Sequence, residues 1–332
     1  MPNIMDYLKW RGDISFEASP FNEVDNLIFT QLCFVDFSGI ISEDHTQSVP
    51  LHIAVRKALT RLGPKSKKLG FMIPDDILKL VEVLASCPRY RDILLCAYVS
   101  KTDTVEETQF AAITSIITSK DIVVTYRGTD DTLIGWKEDF NMALLPNIPS
   151  QKLSLEYLEN ASSFHKGKHI YVCGHSKGGN LSIYSAVNSL CKTKKKIVRV
   201  FNNDGPGFKK EFFESKKYLS IKSRITTIIP QNSFVGLMFE QDEDSLYVVK
   251  SSSIGAFQHD VFSWQVMGPS LENAKLEKIA LRDKKAFNTW VYNVAEEERK
   301  EAIEVLFDFL SSSGATTLTE AFNNSPKLIK AY

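Results

Sequence analysis

The sequence has no long uninterrupted run of apolar residues and no excess of charge of either sign. Its 332 residues carry 40 basic and 40 acidic side chains, so electrostatics favours neither nucleic acid nor an anionic membrane as an obligatory partner. No apolar stretch reaches the roughly 20 residues that a membrane-spanning helix needs. The opening residues, MPNIMDYLKWRGD, carry early acids and lack the apolar centre of a signal peptide. We therefore expect a cytoplasmic protein with no obligatory membrane association.

Cysteine is also scarce, and its spacing is irregular. The five cysteines show no spacing typical of a metal site, and their odd number argues against a disulfide framework. They are Cys33, Cys87, Cys96, Cys173 and Cys191. Three lie within apolar runs, where a thiol behaves as a small hydrophobic side chain. The pattern indicates a reducing compartment, and we expect neither a metal nor a cofactor.

The hydropathy pattern alternates between helical and strand-like segments. Helical spacing of apolar residues predicts helices within 22–37, 74–87, 153–166, 181–191 and 293–313. Short runs rich in Val and Ile predict strands within 92–100, 121–128, 169–173, 196–203, 224–230, 245–252 and 259–266, and 105–118 is mixed. Strands followed by helices indicate an α/β protein with a mostly parallel central sheet. We expect one domain, with a helical lead-in at 1–90 packed on a core at 91–332. The short basic groups at 65–68 and 192–196 are interpreted as solvated loops.

The segment YVCGHSKGGNLSIYS, residues 171–185, joins a predicted strand to a predicted helix. It lacks the Gly-Lys-Ser/Thr ending of a phosphate-binding loop and the G-x-G-x-x-G of a dinucleotide site. It contains G-x-S-x-G, the nucleophile elbow, with Ser176 at the strand-to-helix turn. Gly174 and Gly178 leave room for that turn, and the Lys177 N–H at the start of the helix points toward a reacting carbonyl. Ser176 is therefore the candidate nucleophile and Lys177 a candidate oxyanion donor.

A serine nucleophile needs a base and an acid, which in this architecture follow it in the order acid, then histidine. Apart from His175 beside it, only His259 follows Ser176. His45, His52, His165 and His169 precede the nucleophile, and the sequence indicates no role for them. The favoured acid is Asp204, where a strand ends in the turn DGPGF. Asp242 and Asp244 in a later loop remain alternatives, as does a site with no acid.

Together, the stretches IVVTYRGTDDTLIGWKEDF and VCGHSKGGN resemble the class 3 lipases, α/β hydrolases that act on esters. The chain resembles more closely an uncharacterised bacterial family related to them, which shares NNDGPGF and IIPQNSFVG. The resemblance covers roughly residues 20–265 and implies an α/β-hydrolase fold with Thr129 in the oxyanion hole. It departs from the lipases at Asn232 and Ser233, where their acid lies, and at Lys177, where an apolar residue is common.

The segment 131–145 is interpreted either as a lid over an acyl pocket, as the resemblance implies, or as ordinary core packing. Arg127, Trp136 and Asp139 are interpreted as residues with structural roles beside the site, and a role as catalytic neighbours is the alternative. We expect a serine hydrolase that cleaves a small-molecule ester or lipid-like substrate by Ser-His-Asp acyl transfer. The alternative is an inactive α/β-hydrolase scaffold that serves as a binding or regulatory module.

Overall fold

The computed structural model describes residues 1–63, 69, 70 and 72–324. The basic loop expected at 65–68 lies outside them. The described strands are β1 Ser48–Pro50, β2 Leu94–Asp103, β3 Thr108–Ile116, β4 Asp121–Tyr126, β5 His169–His175, β6 Ile197–Asn203, β7 Ile225–Pro230, β8 Leu246–Val249, β9 Val266–Met267 and β10 Ser270–Leu271.

Helices precede, separate and follow these strands. They are α1 Ile4–Arg11, α2 Glu23–Leu32, α3 Leu51–Leu62, α4 Asp76–Leu84, α5 Leu133–Asn141, α6 Pro149–Phe164, α7 Lys177–Asn188, α8 Cys191–Lys194, α9 Lys210–Glu214, α10 Lys216–Leu219, α11 Lys278–Asn293, α12 Glu296–Ser311 and α13 Leu318–Asn323. Among the described residues, none of these helices is both long and apolar enough to cross a membrane.

Eight strands form one sheet in the order β1-β2-β3-β4-β5-β6-β7-β8. Pairing is antiparallel from β1 to β4 and parallel from β4 to β8. Helices cover both faces, and the protein has an α/β-hydrolase fold. The parallel strands end at one edge, which brings the turns after β5, β6 and β7 together.

Side chains alternate between the two faces of the sheet, as the period of a strand requires. Val123 and Cys173 belong to an apolar layer with α1 to α4. Ile122 and Val172 belong to a second layer, with α6 and α7. Burial on both faces explains why the parallel strands appear in the sequence as nearly continuous apolar runs.

The described part of residues 1–90 contains helices α1 to α4 and also strand β1, which the expectation of a helical lead-in did not include. Two polar contacts fix these residues, one within the segment and one to the core. The Arg89 guanidinium donates to the Asp25 carboxylate at 2.6 Å with both side chains buried. The amides of Asn26 and Asn203 donate to each other's oxygen at 2.7 and 2.9 Å, which attaches α2 to the end of β6.

Most predicted elements are confirmed, including the helices near 22–37, 74–87, 153–166 and 293–313. The mixed segment 105–118 contains β3. The strand predicted at 259–266 is wrong, because these residues form 3₁₀ turns at Gly255–His259 and Val261–Ser263. The Asp260 side chain accepts a bond from the Phe262 N–H, and this local bond competes with strand pairing.

Candidate active site

Ser176 lies in a strained turn between β5 and α7. Its φ of 58° and ψ of −131° are unusual for a residue with a side chain and are typical of a site where backbone strain serves function. A Cβ at Gly174 would lie 2.0 Å from the Gly178 oxygen, and one at Gly178 would lie 2.3 Å from the Tyr126 oxygen. Both positions therefore exclude any larger residue, which accounts for the two glycines of the motif.

Asp204 and His259 contact each other directly, although 55 residues separate them in the sequence. The Nδ1 of His259 lies 2.7 Å from Oδ2 of Asp204. Asp204 follows β6, is only 1% exposed and has a φ of +50°. Its other oxygen accepts bonds from the Ser233 hydroxyl and the Gly236 N–H. These bonds leave one carboxylate oxygen facing the imidazole.

Ser233 occupies the place after β7 where the lipase pattern carries its acid. Here it does not replace the acid, because its hydroxyl bonds to the carboxylate that follows the neighbouring strand. Asn232 is held separately: its N–H donates to the side-chain oxygen of Gln258 at 2.9 Å. At this place the structure thus has a hydroxyl after β7 that donates to a carboxylate after β6.

The alternative acids, Asp242 and Asp244, lie before β8 and therefore near the amino ends of the parallel strands. Asp242 accepts a bond from the Tyr218 hydroxyl at 2.6 Å, and the Lys222 ammonium lies 2.9 Å from Asp244. Both belong to an ionic cluster at the edge of the sheet opposite the Ser176 turn.

The loop that carries His259 is attached at several points. The Trp264 indole N–H donates to the Gln258 carbonyl at 2.8 Å. Nε2 of His175 lies 2.8 Å from the His259 carbonyl oxygen, and the two rings are 4.4 Å apart. Burial lowers the pKa of His175 well below its usual value, so this imidazole is neutral and Nε2 is its donor. His175 therefore holds the backbone of His259, a role for which the sequence offered no signal beyond adjacency to Ser176.

Thr129 lies in the turn between β4 and α5 and faces the same cavity as Ser176. Its hydroxyl donates to Oδ2 of Asp139, which leaves the backbone N–H as the group available to an oxyanion. Burial raises the pKa of Asp139 to about 6, although the neighbouring Lys177 opposes the shift. Arg127 bonds to Asp130 at 2.9 Å and braces this turn, as the sequence suggested.

The side chain of Lys177 is almost completely buried, at 1% exposure. Its ammonium donates to the Gln109 carbonyl at 2.9 Å, to the Gln109 side-chain oxygen at 2.8 Å and to Glu138 at 3.0 Å. Glu138 also accepts the N–H groups of Gln109 and Ser150. Lys177 thus joins the elbow helix to α5, and its charge is neutralised inside the protein. The sequence marked Lys177 as unusual, but its partners are 39 and 68 residues away and no local pattern links them.

One cavity of about 340 Å³ adjoins both Ser176 and His259. Its walls are mainly apolar or aromatic. They include Phe34, Met72, Ile73, Trp136, Phe140, Met142, Phe234, Val235, Met238, Phe239, Val261, Phe287 and Trp290. The sequence did not predict helix α11, which contributes the last two of these side chains.

Helix α5 has two apolar sides, and the lid interpretation of 131–145 stays a prediction. Trp136 and Phe140 line the cavity, whereas Leu133 packs in a small core with Ile303 and Phe307 of α12. The segment is therefore a cavity wall that is itself covered by the C-terminal helices.

The site geometry can be set beside known proteins. No protein with a curated description matches the sequence. A solved structure titled "Crystal structure of M37 lipase" is 17% identical, with a TM-score of 0.37 over 65% of this chain and 68% of that one. The Mbeg1-like family model matches residues 84–308. Because that match covers well over half of the 332 residues, the chain belongs to the Mbeg1-like family, a lipase-like family of the kind its motifs led us to expect.

Proposed function

We propose that the protein is a serine hydrolase that cleaves carboxylic esters of apolar acyl groups. The observation that carries the proposal is the 2.7 Å contact between His259 Nδ1 and Asp204. His259 also borders the cavity to which the strained Ser176 contributes. An elbow serine followed in the chain by an acid and then a histidine provides the three parts of a catalytic triad.

In the proposed reaction, Asp204 accepts a hydrogen bond from the Nδ1–H of His259, which leaves Nε2 unprotonated to act as base. Ser176 Oγ attacks the ester carbonyl and transfers its proton to Nε2. The tetrahedral intermediate then collapses to an acyl-serine, and Nε2 returns the proton to the departing alcohol. Water, deprotonated by the same nitrogen, adds to the acyl-serine and releases the acid.

The developing oxyanion is assigned to the backbone N–H groups of Thr129 and Lys177. Lys177 is the first residue of α7, so its N–H has no acceptor one turn earlier in the helix. The positive end of the helix dipole adds to this stabilisation. The Lys177 ammonium takes no direct part, since its three donors are all bound to Gln109 and Glu138.

The size and the lining of the cavity support the proposal that it binds the acyl group of the substrate. Its volume of about 340 Å³ lies at the lower end of the roughly 300–1,000 Å³ typical of small-molecule sites. Aromatic and aliphatic walls favour a hydrocarbon chain, whose burial contributes about 0.8 kcal/mol per methylene. The buried, neutralised Lys177 presents no free charge to such a chain.

The test combines covalent labelling with ester hydrolysis. A fluorophosphonate probe should label the intact protein, and p-nitrophenyl butyrate and octanoate should be hydrolysed faster than the acetate. Ser176→Ala should abolish both signals, while Ser182→Ala, a change at a buried serine on the same helix, should keep them in folded protein. An intact, folded protein that neither labels nor hydrolyses any of the three esters would instead favour the inactive scaffold.

A further inference from the structure

Three side chains that can bind a metal converge away from the proposed catalytic site. They are His45 in the loop before β1, Cys96 in β2 and His165 directly after α6. One ligand atom of each lies within 4.8 Å of those of the other two. The Cys96 sulfur is 3.9 Å from Nε2 of His165. Because α6 ends where β5 begins, this cluster lies toward the amino ends of the parallel strands, opposite the Ser176 turn.

The cluster is buried and its polar atoms have few partners. Cys96 is fully buried and His165 is 5% exposed. Nδ1 of His45 is buried and has no hydrogen-bond partner among the described residues. Buried polar atoms in native proteins nearly always have a partner, and a bound ion is one recognised explanation for an exception.

The backbone around Cys96 is irregular in a way that affects where its side chain points. The register of β2 against β3 shifts between Cys96 and Val99, and Ala97 has a φ of +52°. Bulges of this kind re-aim side chains and are common at functional sites. The Tyr98 N–H donates to the Ser42 carbonyl at 3.1 Å, which ties the bulge to the loop that carries His45.

Aromatic rings fix the two imidazoles. The His45 ring stacks on Phe164 with centroids 5.6 Å apart and meets the His165 ring edge-on at 5.2 Å. Tyr157 lies 5.8 Å away on another side, and its hydroxyl donates to the Ala97 carbonyl. The ligands are thus held by packing rather than by competing hydrogen bonds.

We propose that His45, Cys96 and His165 bind one Zn²⁺ ion, with water as the fourth ligand. Imidazole and thiolate are the ligands that zinc prefers, whereas Mg²⁺ and Ca²⁺ prefer oxygen. With Zn–S near 2.3 Å and Zn–N near 2.05 Å, tetrahedral ligand atoms lie about 3.4–3.6 Å apart. The sulfur and nitrogen of Cys96 and His165 therefore need to approach by about 0.3 Å. Binding releases the thiol proton to solvent. The ion would join the loop before β1, strand β2 and the end of α6, away from the proposed catalytic site.

The first experiment uses the full chain freed of metal with a chelator and then titrated with ZnCl₂ or CoCl₂. One equivalent of Zn²⁺ should bind, and Co²⁺ should give the thiolate charge-transfer band and the strong d–d bands of a tetrahedral site. Absence of the thiolate-to-cobalt band in folded wild-type protein would overturn the proposal without recourse to any variant.

The second experiment assigns the ligands. Cys96→Ala and His165→Gln should each lower zinc affinity by at least about 100-fold, and zinc should no longer raise their melting temperature. Cys191→Ser and His52→Gln remove a thiol and an imidazole elsewhere and should bind like wild type. Equal binding by the ligand variants and the controls would also overturn the proposal. Neither readout depends on ester hydrolysis.

Discussion

Replacing Lys177 with Met tests how much the fold depends on the buried ion pair beneath the elbow. Met preserves the length of the side chain but removes the cation, which leaves the fully buried Glu138 carboxylate with only its two N–H donors, from Gln109 and Ser150. Breaking one partner of a buried pair typically costs about 3–5 kcal/mol. We expect a decrease of that size in the free energy of unfolding.

The double variant Lys177→Met/Glu138→Gln separates the charge from the packing. Because Glu138→Gln removes the negative charge, the double variant should lose less unfolding free energy than the two single variants lose in sum. The expected difference is about 1–3 kcal/mol. Urea unfolding followed by tryptophan fluorescence and circular dichroism measures all three variants. Lys250→Met, which breaks a half-exposed pair with Glu272, is the matched control and should cost at most about 1 kcal/mol.

Loss of the Lys177–Glu138 pair should also affect the reactivity of the protein toward fluorophosphonates. Because α5 carries both Glu138 and the Asp139 that binds the Thr129 hydroxyl, Lys177→Met should slow fluorophosphonate labelling even where the protein is still folded. A Lys177→Met protein as stable as the Lys250→Met control, or additive effects in the double variant, would refute the idea that this pair fastens the elbow to α5.

Three other changes give distinct results. Asp204→Asn should lower turnover by roughly ten-thousand-fold without unfolding the protein, whereas Asp242→Asn should be nearly silent in ester kinetics; the reverse order would move the acid to the later loop. Burial raises the pKa of the Asp139 carboxyl from 3.8 to about 6, so the folded state binds the carboxyl proton more tightly than the unfolded state does. The stability that this protonation contributes is therefore lost as pH rises from about 4 to 6. The unfolding free energy of wild type relative to Asp139→Asn, measured in urea across that range, should therefore fall with pH and then level off; a flat difference would contradict the shift. Ala143→Phe places a ring in the cavity and should reduce kcat/KM for p-nitrophenyl octanoate more than for the acetate, and an equal loss on both esters would point to a general disturbance instead.

Local chemistry explains why the elbow and most of the strands could be predicted from the sequence. The turn at Ser176 has glycines two residues before and after it because other backbone atoms lie too close there for a Cβ. This constraint acts on residues close together in the chain, so it is visible in the sequence as a motif. His259 was reached by elimination and Asp204 from its position after a strand, and the structure brings the two together. Their catalytic roles stay predictions.

The contacts that sequence reasoning missed join residues far apart in the chain. From the sequence, Ser233 marked only a position where the acid of the lipases is missing. Its hydrogen bond to Asp204 joins residues 29 positions apart, which the sequence did not indicate. The partners of Lys177 and the convergence of His45, Cys96 and His165 depend on tertiary packing, which no spacing rule expresses. The strand predicted at 259–266 does not form because hydrogen bonds of the side chains outweigh the β-propensity of the segment. The Asp260 carboxylate accepts from the backbone, and the Trp264 indole donates to it.

The attachment of α2 to β6 also constrains how the chain can fold as it is synthesised. Asn26 emerges from the ribosome 177 residues before its partner Asn203, an interval of about 9–35 s at 5–20 residues per second. During that time strands β2 to β5 are made, but β6 is not, so the contact of α2 with the end of β6 is still missing. Helix α2 is therefore among the first elements to be made, yet its contact with the sheet is complete only after β6 has emerged.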